Sequence, residues 1–331
     1  MKTIITGGAG FIGTNLVLRL LKEGRDITVI DNVERGHKEN LEGLDVETIY
    51  ADLRDYSQAA KAIQNADVVY HLAARVGSVN YLHGTNSAEL ETLQDNLLID
   101  TNVFRACRES GVKKIVYASS VSVYPIEKQQ VVGARFREED IYPISPEGGY
   151  GWAKFMGEVQ LGMTENCKSA IARIFNAYGE YNDYGEYAQV VPSLIKKALF
   201  YPKQPYVVWG DGNQTRCLLY IDDCIDALLK LEGAASYPPP RVNIGSEEET
   251  PIRELVRTII KISGKEIEPE FDPSMPVGPR SRVPDTRKAR ELLGWEPRTP
   301  LEMGLRRTYA FIEESVQGIR KRTATSGTST V

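Results

Sequence analysis

The run Thr6-Gly7-Gly8-Ala9-Gly10-Phe11-Ile12-Gly13 lies between the apolar stretch Lys2-Thr3-Ile4-Ile5 and an amphipathic stretch that continues to about residue 23. Three glycines spaced Gly7-x-x-Gly10-x-x-Gly13 at a strand-to-helix junction leave few folds open. Without side chains the backbone can turn tightly and bring its N–H groups up to a pyrophosphate, which the positive end of the helix favours. Gly7, Gly10, Phe11, Ile12 and Gly13 are therefore expected to hold the phosphates of a dinucleotide.

The chain that follows fits this junction. Strand-like runs near 2–6, 27–31, 46–50, 67–72, 113–118 and 169–174 alternate with helical patterns near 11–23, 56–64, 92–110 and 149–166. That alternation predicts an α/β fold with a doubly wound parallel sheet. Val68-Val69-Tyr70 and Ile115-Val116-Tyr117 are continuous apolar runs, as strands are when helices cover both faces of the sheet. After residue 175 the rhythm breaks. Helices near 189–200 and 221–232 and strand-like runs near 205–209, 216–220 and 241–244 predict a smaller, mixed α/β lobe. The expected organisation is a dinucleotide-binding domain over 1–175 that returns near 213–235, an interleaved substrate lobe over 176–315, and a disordered tail over 320–331.

Composition excludes several classes. The 331 residues are 42% apolar and 26% charged, enough for a large core. The net charge of −5 argues against nucleic-acid binding, which needs a concentrated basic surface. No apolar run reaches membrane-spanning length, and the strand pattern starts at Lys2, so neither a span nor a leader is expected. Cys107, Cys167, Cys217 and Cys224 show no metal-ligand or redox spacing, which predicts buried thiols in a soluble, cytoplasmic protein without a metal.

Further along, Val29-Ile30-Asp31 ends the second strand 18 residues beyond Gly13. A carboxylate there can accept both ribose hydroxyls and repels a 2′-phosphate, which favours NAD over NADP and adds Asp31 and Asn32 to the site. Arg35, close by, is the feature that speaks for a 2′-phosphate. Asp52-Leu53 follows the third strand at an adenine position. Leu72-Ala73-Ala74 follows the fourth, where small residues let the backbone pass close to the cofactor. His71 reads as a packed, hydrogen-bonded histidine. Asn96 reads equally as a cofactor contact or as a cap at the start of the next helix.

Tyr150-Gly151-Trp152-Ala153-Lys154 puts a phenol and an ammonium four apart on one helical face. A free Tyr is a poor base at neutral pH, and a neighbouring cation would make it a better one. Upstream, Tyr117-Ala118-Ser119-Ser120-Val121-Ser122-Val123-Tyr124 ends the fifth strand with hydroxyls beside the crevice where such sheets bind ligands. With these residues together the chain resembles the extended short-chain dehydrogenase/reductases, in the group of NAD-dependent nucleotide-sugar epimerases and dehydratases, over Lys2 to about Phe311. The resemblance implies a Rossmann sheet plus a substrate lobe, with Ser120, Tyr150 and Lys154 as catalytic residues and Lys154 also on the nicotinamide ribose. It implies a UDP- or GDP-sugar substrate near Ser122, Asn176, Arg216 and Arg282, the two arginines on its diphosphate. It also implies a homodimer through the helices near 92–110 and 149–166.

Departures from relatives narrow the reaction. The 4,6-dehydratases carry an acidic pair where this chain has Val121-Ser122, and the sugar-acid decarboxylases carry a Glu in that region. In texture the chain resembles GDP-mannose 3,5-epimerases, yet their Cys and Lys acid/base positions are Ser122 and Val190 here. What these residues leave is oxidation at C4 followed by return of the hydride to the other face. The expectation is thus a nucleotide-sugar C4-epimerase. The alternatives are a 3,5-epimerase-like, dehydratase or dehydrogenase activity and, in another class, a sensor that binds NAD without turnover. The loop 75–90 is expected to line the sugar pocket, with a flexible cover as its alternative reading, and the stretch 181–187 reads equally as facing the sugar or as aromatic packing.

Overall fold

The computed structural model describes residues 1–77, 85–185, 188–275 and 277–325. Seven parallel strands form the central sheet: β1 (Lys2–Thr6), β2 (Asp26–Asp31), β3 (Glu47–Tyr50), β4 (Val68–His71), β5 (Lys114–Ser120), β7 (Lys168–Ile174) and β12 (Arg241–Ile244). Their order is β12-β7-β5-β4-β1-β2-β3. The strand order reverses between β1 and β4, and at that switch point the carboxyl ends of the strands open a crevice.

Side-chain alternation explains why helices cover both faces. On each strand, successive residues point to opposite sides. Ile5, Val29, Val116, Ala170 and Ala172 join the core cluster that contains Leu16, Val17 and Leu20 of α1 (Phe11–Lys22) and Ile225, Leu228 and Leu231 of the helix Ile221–Ala234. Their neighbours Ile4, Ile30, Val69, Ile115 and Ile171 join the opposite cluster, with Ala59 of α2 (Tyr56–Ala62), Val103 of α3 (Asn86–Glu109) and Leu161 of the helix Gly148–Gly162. Each Val, Leu or Ile among them, fully buried, contributes about 1.5–3 kcal/mol.

The helix Gly148–Gly162, which carries Tyr150 and Lys154, lies close on the sheet. A Cβ at Gly157 would meet the Tyr117 ring and the Asp100 carboxylate, so only glycine allows this approach. A buried ion pair fixes its orientation. Arg173 of β7 donates to Glu158 at 2.9 and 2.7 Å, and Ser119 Oγ donates to the same carboxylate at 2.6 Å. Arg173 also reaches the Tyr124 hydroxyl at 3.1 Å and the Glu138 carbonyl at 2.8 Å. The helix is thereby tied to the end of β5, next to Ser120.

Beyond residue 175 the chain builds short two-stranded pairings, among them β9 (Val207–Trp209) with β14 (Glu270–Asp272) and β10 (Thr215–Cys217) with β13 (Glu249–Pro251). The chain returns to the sheet with the helix Ile221–Ala234, inside the expected 213–235, and beyond it with β12, parallel to β7. Arg241-Val242-Asn243-Ile244 is too short a run to tell a sheet-edge strand from a lobe strand by pattern. The last helix, Leu301–Thr325, extends into the segment expected as tail, because no Pro or Gly interrupts the chain between Gly318 and Gly327. Residues 326–331 lie outside the described residues. Among the described residues, no helix is long and apolar enough to cross a membrane.

Candidate active site

One cavity of about 740 Å³ runs along the carboxyl ends of the strands. It is lined by Gly7, Gly10, Phe11, Ile12 and Gly13 at one end, by Ser120, Tyr150 and Lys154 in its wall, and by Asn176, Arg216 and Arg282 towards the lobe. Asp31, Asn32, Asp52, Leu53, Leu72, Ala73, Ala74 and Ser122 line it as well.

At the glycine end, the Gly7 amide donates to the Ile30 carbonyl at 2.8 Å and the Ala9 amide to Asp31 Oδ2 at 2.9 Å. A Cβ at Gly13 would fall on the Gly7 carbonyl, so the helix could not start this close to β1 with any other residue. Asp31 is buried, and burial raises its carboxyl pKa although the Val33, Ala9 and Asn32 amides pull it back. Arg54 clamps Asp52 at 2.9 and 2.7 Å and also binds Asp95 at 3.1 Å. Arg54 holds the Asp52 carboxyl below its ordinary value. Arg35, which spoke for a 2′-phosphate, faces Asp183 at 3.6 Å.

Asn96 is not the cap of its helix. It is buried ten residues into α3, whose cap is Thr85, and it does not line the cavity. Its Oδ1 accepts the Arg75 amide at 2.8 Å and its Nδ2 donates to the Arg75 carbonyl at 3.0 Å. It is a clip on the backbone beyond β4, one step behind Ala73 and Ala74. The loop 75–90 and the stretch 181–187 fall partly outside the described residues, at 78–84 and 186–187; of the rest, Arg75, Val76, Gly77 and 181–183 line the cavity.

Behind the wall lies a buried charge network that motif spacing did not reveal. The Leu72 and Ala73 amides donate to Thr6 Oγ1, so the Thr6 hydroxyl donates in turn to His71 Nδ1 at 2.7 Å. That pattern assigns the other ring proton to Nε2, which donates to Asp100 Oδ1 at 3.0 Å. Tyr117 donates to the other Asp100 oxygen. Burial pushes the His71 pKa down, which keeps the ring neutral. Burial pushes the Asp100 carboxyl up, but Lys154, His71 and Tyr117 together hold it below its usual value. His71 is the packed histidine that its sequence context suggested.

Lys154 Nζ is 1% exposed, 3.9 Å from Asp100 Oδ1, and has no hydrogen-bond partner among the described residues. Burial lowers its pKa, and Asp100 only partly restores it. The Tyr150 phenol is pushed well above its ordinary range by burial first and by Asp100 second, while a hydrogen bond with Ser120 pulls it back. The ammonium is 5.9 Å from the Tyr150 ring and closer to Asp100. The expected acidification of Tyr150 by Lys154 is therefore absent from the polypeptide itself, because Asp100 neutralises the cation.

At the lobe end, Arg216 donates to the carbonyls of Thr215, Pro279 and Val277 at 2.7–2.9 Å. Burial and the neighbouring Arg282 both push its pKa down, which marks a cationic corner short of negative charge. Arg282 donates to Gln129 Oε1 at 2.8 Å and to Glu147. Asn176, with a φ of 33°, donates to the Cys217 carbonyl at 3.3 Å. Glu147, like Asp100, carried no motif; its only signal is an acidic residue three before Tyr150.

Known proteins share the sequence pattern and the fold. Residues 3–245 match the NAD dependent epimerase/dehydratase family. The chain belongs to that family. Among its relatives, UDP-glucose 4-epimerase of Mycolicibacterium smegmatis is 33% identical, with 96% of this chain and all of that protein covered. GDP-mannose 3,5-epimerase 1 of Oryza sativa is 30% identical over 96% of this chain and 83% of that one. Of the solved structures, UDP-glucose 4-epimerase of Thermotoga maritima with UDP-glucose has a TM-score of 0.85 at 27% identity, covering 96% and 100%. The Thermus thermophilus UDP-glucose 4-epimerase complex with NAD has a TM-score of 0.81 at 28% identity, covering 94% and 98%.

As an NAD-dependent epimerase/dehydratase the protein uses NAD, and its residues fit that cofactor. The orphaned Lys154 Nζ in the cavity wall needs oxygen acceptors of the kind a ribose supplies. The glycine loop and Asp31, which line the same cavity, would hold the pyrophosphate and adenosine end.

Proposed function

We propose that the protein inverts C4 of a UDP- or GDP-sugar through a 4-keto intermediate. One observation carries this reading: Ser120, Tyr150 and Lys154 line one cavity with the glycine loop and the Arg216–Arg282 corner. A nucleotide-sugar whose diphosphate meets the two guanidiniums brings its hexose to that wall. Bound NAD would supply the hydride acceptor and donor. Tyr150 takes the C4 hydroxyl proton and gives it back. Ser120 shares that hydrogen bond and keeps the oxygen in line. Lys154 holds the cofactor ribose, and its charge, drawn off Asp100 by new oxygen partners, then favours the phenolate.

In heavy water with a panel of UDP- and GDP-sugars, NMR should show inversion at C4 with no deuterium entering C4. Deuterium at C4, or inversion only elsewhere, contradicts the reading. The same panel decides the base of the nucleotide. A Tyr150→Phe variant separates this enzyme from an NAD-binding sensor, whose behaviour would not change.

We also propose a homodimer through α3 and the helix Gly148–Gly162. Leu98, Trp152 and Met156 are exposed on these adjacent helices, 49%, 40% and 39% accessible, where a lone chain would leave them to water. Sedimentation equilibrium should give twice the chain mass, and a single-chain mass at micromolar concentration excludes the dimer.

A further inference from the structure

The cavity wall holds a carboxylate that hydride transfer at C4 does not use. Glu147 immediately precedes the helix of Tyr150, and two bonds tie it to the turn after β5. Its amide donates to the Ser122 carbonyl at 2.8 Å, and Ser122 Oγ donates to its Oε2 at 3.0 Å. The Ser122 amide in turn donates to Ser120 Oγ at 3.2 Å, and Ser120 lines the cavity together with Tyr150. Glu147, Ser122, Ser120 and Tyr150 thus form one polar line along the wall.

The other carboxylates lining the described cavity are engaged elsewhere. Arg54 gathers Glu34, Asp52 and Asp95, and Asp31 serves the glycine loop. Asp183 accepts the Gly185 amide and faces Arg35. Among the carboxylates of the described residues that line the cavity, Glu147 alone is bonded to both Ser122 and Arg282.

We propose that Glu147 is a second acid/base residue, which removes and returns the proton on the sugar carbon next to the keto group. The proposal rests on the 4-keto intermediate of the preceding section and adds an activity to it. A ketone at C4 acidifies the C–H bonds at C3 and C5. The C–H bond breaks, its proton goes to the Glu147 carboxylate, directly or across the Ser122 hydroxyl, and the electron pair forms the enolate. The protonated Tyr150 phenol donates to the enolate oxygen. Return of the proton to the same face restores the sugar, and return after the enolate ring has turned its other face to Glu147 inverts that carbon. No electron leaves the substrate, so no further reactant is needed. Arg282 controls the base: while it binds Glu147 it satisfies the carboxylate, and a substrate diphosphate that engages Arg282 releases Glu147 for proton transfer.

The Ser122 position therefore does not lack an acid/base, as the chain alone suggested; the group arrives through space, 25 residues later. The test supplies the ketone ready-made, so that it does not depend on hydride transfer. NAD-loaded protein is mixed with a UDP-4-keto-6-deoxyhexose in heavy water, and deuterium at C3 and C5 is followed by NMR. The wild type should exchange one of these positions. Glu147→Gln, which preserves shape and hydrogen bonding, should exchange about 100-fold more slowly, the lower range for loss of a general base. Glu147→Asp, which keeps a carboxylate, should retain measurable exchange. A wild type that leaves the ketone unlabelled, or a Glu147→Gln protein that labels it at the wild-type rate, overturns the proposal. Exchange on the ketone without C4 inversion of any sugar in the panel would instead sink the C4 reading and leave Glu147 as the base.

Discussion

Tyr150→Phe is expected to lower turnover by about 1,000-fold, within the range for loss of a positioned general acid/base. The substitution removes one oxygen and keeps the ring, so the packing of the helix Gly148–Gly162 should survive, and NAD and nucleotide-sugar should bind nearly as before. The effect then belongs to kcat. The pH dependence carries a second signature. Burial and Asp100 raise the Tyr150 pKa in the polypeptide, so the phenolate is scarce at neutral pH and its population grows as pH rises. Wild-type activity should climb on the alkaline side, and that climb should vanish in Tyr150→Phe. Lys154→Met removes the cation that offsets Asp100, which raises the Tyr150 pKa further and moves the climb to higher pH. Steady-state kinetics across pH, with NAD saturating, checks all three statements.

Arg173→Met is expected to destabilise the fold by about 3–5 kcal/mol, the usual cost of removing one partner of a buried ion pair. Arg173 and Glu158 are each 1% exposed, and the substitution leaves Glu158 with Ser119 and Arg241 as partners but without its bidentate cation. The same change frees the Tyr124 hydroxyl and the Glu138 carbonyl from their shared donor. Replacing both members by apolar residues, Arg173→Met with Glu158→Leu, should recover much of the loss, because no unpaired charge stays behind. Denaturant unfolding of the three proteins measures this. A single substitution that costs under about 1 kcal/mol, the scale of a surface pair, would mean that the pair does not pin the catalytic helix.

What could be read along the chain was whatever neighbours in sequence decide together. Gly7, Gly10 and Gly13 meet within one turn. Tyr150 and Lys154 share a helical face, and the alternation of apolar runs implies a sheet covered on both sides. Contacts set by packing were not legible. Asp100 lies mid-helix between Leu97-Leu98-Ile99 and Thr101-Asn102 with no motif around it, and only the crossing of α3 over β4 and β5 brings it under His71, Tyr117 and Lys154. That carboxylate changed the electrostatic argument, since it neutralises the cation meant to acidify Tyr150. Asn96 was misplaced for a related reason: Asn86-Ser87-Ala88-Glu89 shows little apolar periodicity, so the helix pattern surfaced near residue 92 although the cap is Thr85. Glu147 had no pattern to announce it. Its value comes from Ser122 and Arg282, which the fold delivers from two distant segments.

The most direct test of the central claim follows the near-ultraviolet absorbance of reduced nicotinamide on rapid mixing of NAD-loaded protein with a sugar that it converts. If Tyr150 takes the proton as the sugar carbon is oxidised, wild-type protein shows a transient rise in that absorbance and Tyr150→Phe shows almost none. A rise of equal rate and height in both proteins would contradict the account.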